Sequence, residues 1–190
     1  MKSTTVVWTR IDVSGHDAAR LDEGPHLREL TGSAVFVENA LPVSLDYRIV
    51  CGADWHTRTA TVRGWIGTER VTIALAATES RWTLNGATRP AVDGCVDLDL
   101  NFSPSTNLLP VRRLALATGE SAVVRSAWLR FPSLELEPLE QTYRRVSEQV
   151  YEYETDGFRA RLTVDETGFP IEYGGLWRAI ASARHGPSPE

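Results

Sequence analysis

Alternation of apolar and polar residues with a period of two is the feature that most constrains how this chain folds. The clearest case is residues 158–164, where Phe, Ala, Leu and Val alternate with Arg, Arg and Thr. This pattern is typical of a half-buried strand with one dry and one wet face. Turn signals such as Asn85-Gly86 separate such segments at intervals of about 8–12 residues, which favours an antiparallel sandwich or barrel.

Strands are predicted wherever this alternation recurs between turn signals. They fall at residues 4–12, 33–38, 45–50, 59–66, 71–77, 81–84, 95–102, 111–117, 121–130, 134–137, 141–154, 158–164 and 171–173. Helical signals are few. Gly24-Pro25 interrupts residues 16–30, which leaves a loop or a short turn of helix there, and residues 176–184 predict a short helix.

The chain length of 190 residues fits one domain. We expect a single β domain over residues 1–184 and a disordered tail over residues 185–190. Residues 45–50 resemble 141–146, and residues 71–86 can be laid over 158–174 with similar apolar spacing. These correspondences suggest a further hypothesis, two similar β halves around a shared interior.

The charge balance and the N-terminal segment bear on partners and location. A net charge of -5, with no basic run, disfavours nucleic acid as a partner. The apolar stretch after Lys2 is too short for a signal peptide, and no segment approaches the roughly 20 apolar residues of a membrane span. We therefore expect a cytoplasmic protein without stable membrane insertion.

No motif for a metal, a cofactor or an activated nucleophile stands out. The two cysteines, Cys51 and Cys95, form no CxxC pair and are expected to be reduced thiols. The four histidines lack metal-ligand spacing, and nucleotide-binding loops and nucleophile elbows are missing from the sequence. We expect no metal, no cofactor and no catalytic residue.

The segment from Asp97 to Arg113 carries the densest polar pattern. On a strand, Asp97 and Asp99 share one face, and the long loop that follows contains Asn107. If Arg112 and Arg113 begin a paired strand, one guanidinium comes near the carboxylates. Three interpretations remain open: a structural ion pair in a hairpin, a grip on ligand hydroxyl or phosphate groups, and acid–base catalysis as in glycosidases.

Trp55 is the second candidate for ligand contact. Its ring offers a large apolar face with a single N–H, which suits stacking on a sugar or covering a lipid chain. The alternative interpretation is ordinary core packing, which is common for tryptophan in β proteins.

The polar segment also carries a family resemblance. It reads D-L-D-L-x-F-S-P-x-T-N-x-L-P-V-R-R-L and resembles the bacterial family described as putative glycolipid-binding proteins. Further agreement is found in Tyr47-Arg48-Ile49, Asp54-Trp55-x-Thr57, Gln141-Thr142-Tyr143-x-Arg145, Tyr151-x-Tyr153, Phe158-x-Ala160-x-Leu162-x-Val164-Asp165 and Gly175-Leu176-Trp177-Arg178. The resemblance implies a curved, half-barrel β fold similar to bacterial lipoprotein carriers, with a hydrophobic cavity.

The functional expectation is a non-catalytic binding protein for a glycolipid or a lipid-like small molecule. An apolar cavity would hold acyl chains. The headgroup would contact the candidate ligand-binding residues Asp97, Asp99, Asn107, Arg112, Arg113 and Trp55. Two alternatives stay open: an enzyme acting on a small sugar-containing or polar molecule through Asp97 or Asp99, and a structural module that forms a homodimer.

Overall fold

The protein, described by a computed structural model over residues 1–186, contains one continuous sheet of fifteen strands in that range. The strands are β1 (Lys2–Arg10), β2 (Gly15–Glu23), β3 (Leu27–Glu38), β4 (Leu41–Gly52), β5 (Thr57–Ile66), β6 (Glu69–Thr78), β7 (Arg81–Leu84), β8 (Ala87–Thr88), β9 (Leu98–Leu100), β10 (Ser121–Arg130), β11 (Glu135–Arg145), β12 (Val150–Thr155), β13 (Phe158–Val164), β14 (Pro170–Tyr173) and β15 (Trp177–His185). One α-helix, α1 (Leu108–Leu114), and two short 3-10 turns, Pro90–Val92 and Pro104–Asn107, complete the description.

Neighbours in sequence are neighbours in the sheet. Its order is β8-β7-β6-β5-β4-β3-β2-β1-β15-β14-β13-β12-β11-β10-β9. The first and last strands, β1 and β15, therefore pair in its middle, and β8 and β9 form its two edges. Every pairing is antiparallel except that of β9 with β10. The predicted mainly β, antiparallel, curved sheet is confirmed, and it does not close into a barrel.

The segment after β9 contradicts the predicted hairpin. The strand predicted at 111–117 is wrong, because Leu108–Leu114 is the helix α1. Four consecutive buried residues, Leu108 to Val111, precede two arginines. The first turn of the helix is therefore buried, and the last turn carries the two charged side chains. The helix ends at Leu114 and is capped by Ala115, which adopts a left-handed φ of 46° and donates its N–H to the carbonyl of Val111.

Two further predictions are corrected by strand pairing. Residues 16–30, expected to be a loop or helical turn, belong to β2 and β3, and Gly24-Pro25 is the turn between them. The helix predicted at 176–184 is β15, which pairs with β1 from Arg10–Trp177 to Ser3–His185. Most of β15 is exposed, so its backbone pairing rather than an apolar pattern sets its conformation. The strand ends at His185, one residue beyond the predicted domain boundary, and residues 187–190 of the predicted tail lie outside the described residues.

Two hydrophobic clusters fill the interior. The larger packs β1 to β7 against the β9–β10 region and includes Trp8, Phe36, Trp82 and Phe102. The smaller lies among β10 to β13 and α1 and is rich in tyrosine. The repeat hypothesis aligns β4 and β6 with β11 and β13. In the sheet, β6-β5-β4 and β13-β12-β11 follow one another in the same direction, which is the order that the hypothesis requires. Duplication itself stays a prediction.

No helix within residues 1–186 combines the length and the hydrophobicity that a membrane span requires.

Candidate functional site

A cavity of about 570 Å³ lies where the two hydrophobic clusters meet. Its walls come mainly from β9, β10, β12, β13 and the β14–β15 turn. Five aromatic side chains line it: Trp128, Tyr153, Phe158, Tyr173 and Trp177. Polar groups include Asp99, Asn107, Asp156, Arg10 and Arg130. An aromatic cleft with a few polar groups has the general character of a small-molecule site.

Asp99 is the carboxylate that faces this cavity. Its Oδ2 accepts a hydrogen bond of 2.5 Å from Nε2 of Gln141. Its Oδ1 receives no hydrogen bond within residues 1–186, and it is not among the side-chain atoms sealed from solvent without a partner. Oδ1 is therefore available to a ligand. Burial of the group raises the pKa of Asp99 to about 6, because the charged form is poorly solvated and Asp97 is also negative.

Gln141 fixes the orientation of the Asp99 carboxylate. The amide nitrogen donates both to Asp99 and to Oη of Tyr153, the second contact at 3.0 Å. The amide oxygen accepts a hydrogen bond of 2.8 Å from Oγ of Ser126. Gln141 and Ser126 are each 1% exposed, so this network holds the cavity carboxylate in one position.

Asn107 is also held at the cavity. It lies at the end of the second 3-10 turn, just before α1, and is buried. Its Oδ1 accepts a hydrogen bond of 2.8 Å from Oη of Tyr143, and its Nδ2 donates to the carbonyl of Pro104. Asn107 therefore joins the motif loop to the tyrosine cluster that forms one cavity wall.

Asp97 and Arg113 form a bidentate ion pair next to the cavity. Nε of Arg113 lies 3.0 and 3.2 Å from the two carboxylate oxygens, and Nη2 lies 2.6 Å from Oδ2. The Asp97 side chain is 1% exposed, and neither residue lines the cavity. The expected arginine–aspartate pairing is present, but it joins α1 to the start of β9 instead of two strands of a hairpin.

A second buried carboxylate, Asp17, lies behind the cavity wall. Its Oδ2 accepts hydrogen bonds from Oγ of Ser103 at 2.5 Å and from Oη of Tyr47 at 3.1 Å. Ser105 closes the cluster, 2.7 Å from Ser103 and 2.8 Å from Tyr47 between hydroxyl oxygens. Burial raises the pKa of Asp17 to about 7, although both hydrogen bonds act to lower it. Only Ser103 of this cluster reaches the cavity.

Arg112 and Trp55 lie elsewhere. Nη2 of Arg112 is 2.9 Å from Oε2 of Glu23, and Nη1 donates to the carbonyl of Thr167. The guanidinium carbon lies 4.6 Å from the centroid of the Trp55 ring, and that of Arg28 lies 5.5 Å from it on the same ring. Trp55 is 8% exposed and has a left-handed φ of 66° in the β4–β5 turn. These residues form an arginine–tryptophan cluster that does not border the cavity.

Arg10 lies at the rim of the cavity in an unusual setting. It pairs with Asp12 through Nε at 2.9 Å and Nη2 at 3.1 Å. Its guanidinium stacks on the rings of Phe36 and Trp177, 4.7 and 5.4 Å from their centroids. Nη1 is buried and has no hydrogen-bond partner in residues 1–186, so an acceptor placed there would satisfy it.

The structure thus divides the six candidate residues among three places. Asp99 and Asn107 line the cavity, Asp97 and Arg113 pair beside it, and Arg112 and Trp55 are separate. Sequence reasoning missed several residues of the site: Gln141, Tyr153, Trp128, Asp17 and Arg10. The alternation along β2 could have indicated that Asp17 is buried, because its side chain lies on the same face of the strand as those of buried Ala19 and Leu21.

Within residues 1–186, no three side chains of His, Cys, Asp or Glu converge as metal ligands. Cys51 and Cys95 are buried free thiols, and burial raises the pKa of Cys51 to about 12, which keeps it protonated at neutral pH.

Comparison with known proteins gives the family. A family model described as "Putative glycolipid-binding" matches residues 5–179. The crystal structure of a DUF1089 family protein from Pseudomonas aeruginosa is similar, with a TM-score of 0.74 and 36% sequence identity, over 85% of this chain and 91% of that chain. No curated protein matches the chain. Because the family model spans most of the sequence, this protein belongs to the family described as "Putative glycolipid-binding".

Proposed function

We propose that this protein binds the sugar headgroup of a glycolipid in the aromatic cavity and does so without catalysis. The observation that carries the proposal is the free Oδ1 of Asp99, a residue that lines a cavity of about 570 Å³ and whose other carboxylate oxygen is held by Gln141. A carboxylate with an open oxygen accepts hydrogen bonds from sugar hydroxyls. The family description supports the same class of ligand.

The aromatic lining suits a sugar better than an alkyl chain. Trp128, which is partly exposed and lines the cavity, offers a flat apolar face on which the C–H face of a pyranose stacks, and the almost fully buried Tyr153 and Trp177 complete the aromatic wall. Elsewhere in the interior, buried aliphatic and aromatic side chains pack against one another in the two hydrophobic clusters. We therefore place the headgroup in the cavity and the acyl chains of the ligand toward its open end.

The test uses soluble alkyl glycosides, such as octyl glucoside and octyl galactoside below their micelle concentrations, titrated calorimetrically. The wild type should bind at least one glycoside. Asp99→Asn and Trp128→Ala should each weaken that binding by about tenfold or more, the equivalent of about 1.4 kcal/mol. Matched controls are Asp46→Asn and Trp65→Ala, which lie on the outer face and should bind like the wild type. Equal affinity in Asp99→Asn and Asp46→Asn would remove the carboxylate from the binding site.

One observation favours a second candidate, an enzyme acting on a sugar-containing molecule. Asp99 has no arginine partner within residues 1–186, whereas Asp97 has Arg113. A pKa of about 6 for Asp99 lets the carboxyl act as a general acid or base near neutral pH. A second cavity carboxylate, Asp156, is the other group such chemistry needs.

A chromogenic assay separates the two candidates. Release of nitrophenol from a panel of nitrophenyl glycosides between pH 5 and pH 7, lost in Asp99→Asn, would establish hydrolysis and displace the binding-only proposal. Binding of alkyl glycosides without any release of nitrophenol would support the binding protein.

A further inference from the structure

Asp99 is a carboxylate withdrawn from solvent that has no cationic partner. It forms no ion pair within residues 1–186, and its Oδ2 is held by a neutral amide. Burial, followed by the negative charge of Asp97, raises the pKa of Asp99, and the contact that lowers it is the hydrogen bond from Gln141. A buried charge normally requires an opposite charge to offset its lost solvation. The open Oδ1 is where a ligand can supply that opposite charge.

The two arginines that line the cavity have carboxylates of their own. Arg10 pairs with Asp12 through Nε at 2.9 Å and Nη2 at 3.1 Å, and the same Nη2 lies 3.9 Å from Oε2 of Glu38. Nη1 of Arg130 lies 3.4 Å from Oε2 of Glu137. The charge around both guanidinium groups is therefore balanced or negative, which disfavours an anionic ligand.

A second unpaired carboxylate lies on the exposed side of the cavity. Asp156, in the β12–β13 turn, lines the cavity and is exposed. It forms no ion pair in the described part of the chain, whereas nearby Glu154 pairs with Arg159. Complementary charge steers and retains a ligand in a binding site. Two carboxylates without partners therefore select a positively charged ligand group.

The aromatic wall suits a cation as well. Phe158 and Tyr173 are both partly exposed and pack edge to face, with ring centroids 6.2 Å apart. Tyr153 packs against both, at 6.1 and 5.7 Å. Burial, with a contribution from the charge of nearby Asp99, raises the pKa of Tyr153 and Tyr173, so both phenols are neutral. Aromatic rings attract a cation through their quadrupole, and a neutral phenol oxygen can accept an N–H.

Organic cations fit this lining better than metal ions. The cavity tryptophans already have guanidinium groups near their rings, Arg10 at 5.4 Å from the centroid of Trp177 and Arg130 at 5.5 Å from that of Trp128. Hard metal ions take about six or more oxygen ligands. No three potential metal-ligand side chains converge within residues 1–186. One open carboxylate oxygen beside aromatic rings instead matches an ammonium group.

We propose that the ligand headgroup carries an ammonium group, as an amino sugar does, and that this group donates to Oδ1 of Asp99 beside the aromatic wall. The inference rests on the proposed function, because it names the chemical class of the headgroup that the cavity takes. The ammonium group supplies the positive charge that the protein itself does not place next to Asp99, and Asp156 adds attraction from the exposed side.

Calorimetry tests the proposal with three octyl glycosides that share one ring: the glucoside, the 2-amino-2-deoxyglucoside and the N-acetyl form of the latter. At pH 6.5 a carboxyl with a pKa of about 6 is mostly ionised, and the ligand amine is protonated. The wild type should bind the amine about tenfold more tightly than either neutral glycoside, because its hydrogen bond to Asp99 is charge-assisted.

Variants assign this preference to particular residues. Asp99→Asn should bind all three glycosides with similar affinity, and Asp156→Asn should reduce the preference for the amine by about twofold, since solvent screens its charge. The matched control is Asp46→Asn, an exposed carboxylate on β4 outside the cavity, which should keep the full preference. Equal preference in Asp99→Asn and the wild type would overturn the proposal. The comparison of charged and neutral glycosides on the wild type decides the matter if Asp99→Asn does not fold.

Cyclohexylammonium and cyclohexanol, which share a ring and lack sugar hydroxyls, separate this inference from the proposed function. Binding of the octyl glycosides without preference for the amine would overturn the ammonium site and leave headgroup binding intact. Failure of every glycoside to bind, together with cyclohexylammonium binding that exceeds cyclohexanol binding and is lost in Asp99→Asn, would overturn sugar binding and support the cation site. Failure of both the glycosides and cyclohexylammonium to bind would overturn both proposals.

Discussion

Asp97 and Asp99 are two residues apart, yet their carboxylates have opposite surroundings. Asp97 is sealed beneath α1 and neutralised by a bidentate contact with Arg113. Asp99 is held by the neutral amide of Gln141 and keeps one oxygen open to the cavity. The charge of the first is balanced inside the protein, while the second is left for a ligand or a proton.

The difference shows how one motif serves both folding and function. The bond from Arg113 to Asp97 fixes α1 against the start of β9, and this contact positions the loop that carries Asn107. Asp99, two residues further along the same segment, then reaches the cavity. Substitutions in the Asp97–Arg113 pair should mainly lower the free energy of unfolding, whereas substitution of Asp99 should mainly change ligand binding and the pH dependence of stability.

The largest effect is expected from Arg113→Ala. This change leaves the Asp97 carboxylate buried without its partner, and removal of one member of a buried pair costs about 3–5 kcal/mol. Urea unfolding should show this loss in the free energy of unfolding. Asp97→Asn should cost less, because it leaves a neutral amide in the interior and an arginine that is already partly exposed. If the two variants lose equal stability, the loss in Arg113→Ala does not come from the unpaired charge of Asp97.

A smaller effect is expected from pH. The raised pKa of Asp99, about 6 against an ordinary 3.8, means that the folded state keeps a proton that the unfolded chain has released. Stability contributed by this group therefore falls as the pH rises from about 4 to about 6, by on the order of 3 kcal/mol. Asp17, with a pKa of about 7, extends the fall to about pH 7.

Difference curves isolate these contributions. Subtracting the wild-type stability from that of Asp99→Asn should give a gain that grows between pH 4 and pH 6 and then levels off. The same subtraction for Asp17→Asn should keep rising to about pH 7. A flat difference curve for Asp99→Asn would show that its carboxyl ionises normally in the folded protein.

The smallest effect is expected from Arg112→Ala. Its side chain is 30% exposed and its partner Glu23 is 18% exposed, so solvent screens the pair. We expect a loss of about 1 kcal/mol, including the stacking on Trp55. The reference is Arg159→Ala, whose pair with Glu154 is 80% and 50% exposed and should contribute almost nothing. A loss at Arg112 as large as at Arg113 would contradict the contrast between the two neighbouring arginines.

Much of the fold was predictable where local pattern and local structure agree. The predicted strands 81–84, 121–130 and 158–164 match β7, β10 and β13. β15 was missed because its conformation depends on a partner strand far away in sequence, and its own residues carry no apolar alternation. Helix α1 was missed because seven residues with a proline at the third position read equally well as a strand.

The site was predictable only in part for a similar reason. Asp99 and Asn107 come from one polar motif and could be identified by its density. Gln141 and Tyr153 reach the cavity from other strands, and each looks ordinary within its own strand pattern. Which side chains from different strands meet at the cavity depends on the curvature of the sheet. The spacing of residues along one strand does not determine that curvature.

The pairing of β1 with β15 has a consequence for how the protein folds. Ser3 pairs with His185, while most other strand pairs join neighbours through short turns. The two meanders on either side can form through local contacts, but the seam between them needs closure of nearly the whole chain, which is slow. We therefore expect β1 and β15 to gain protection from hydrogen exchange last during refolding, and the speed of folding to be set by the meeting of the two halves.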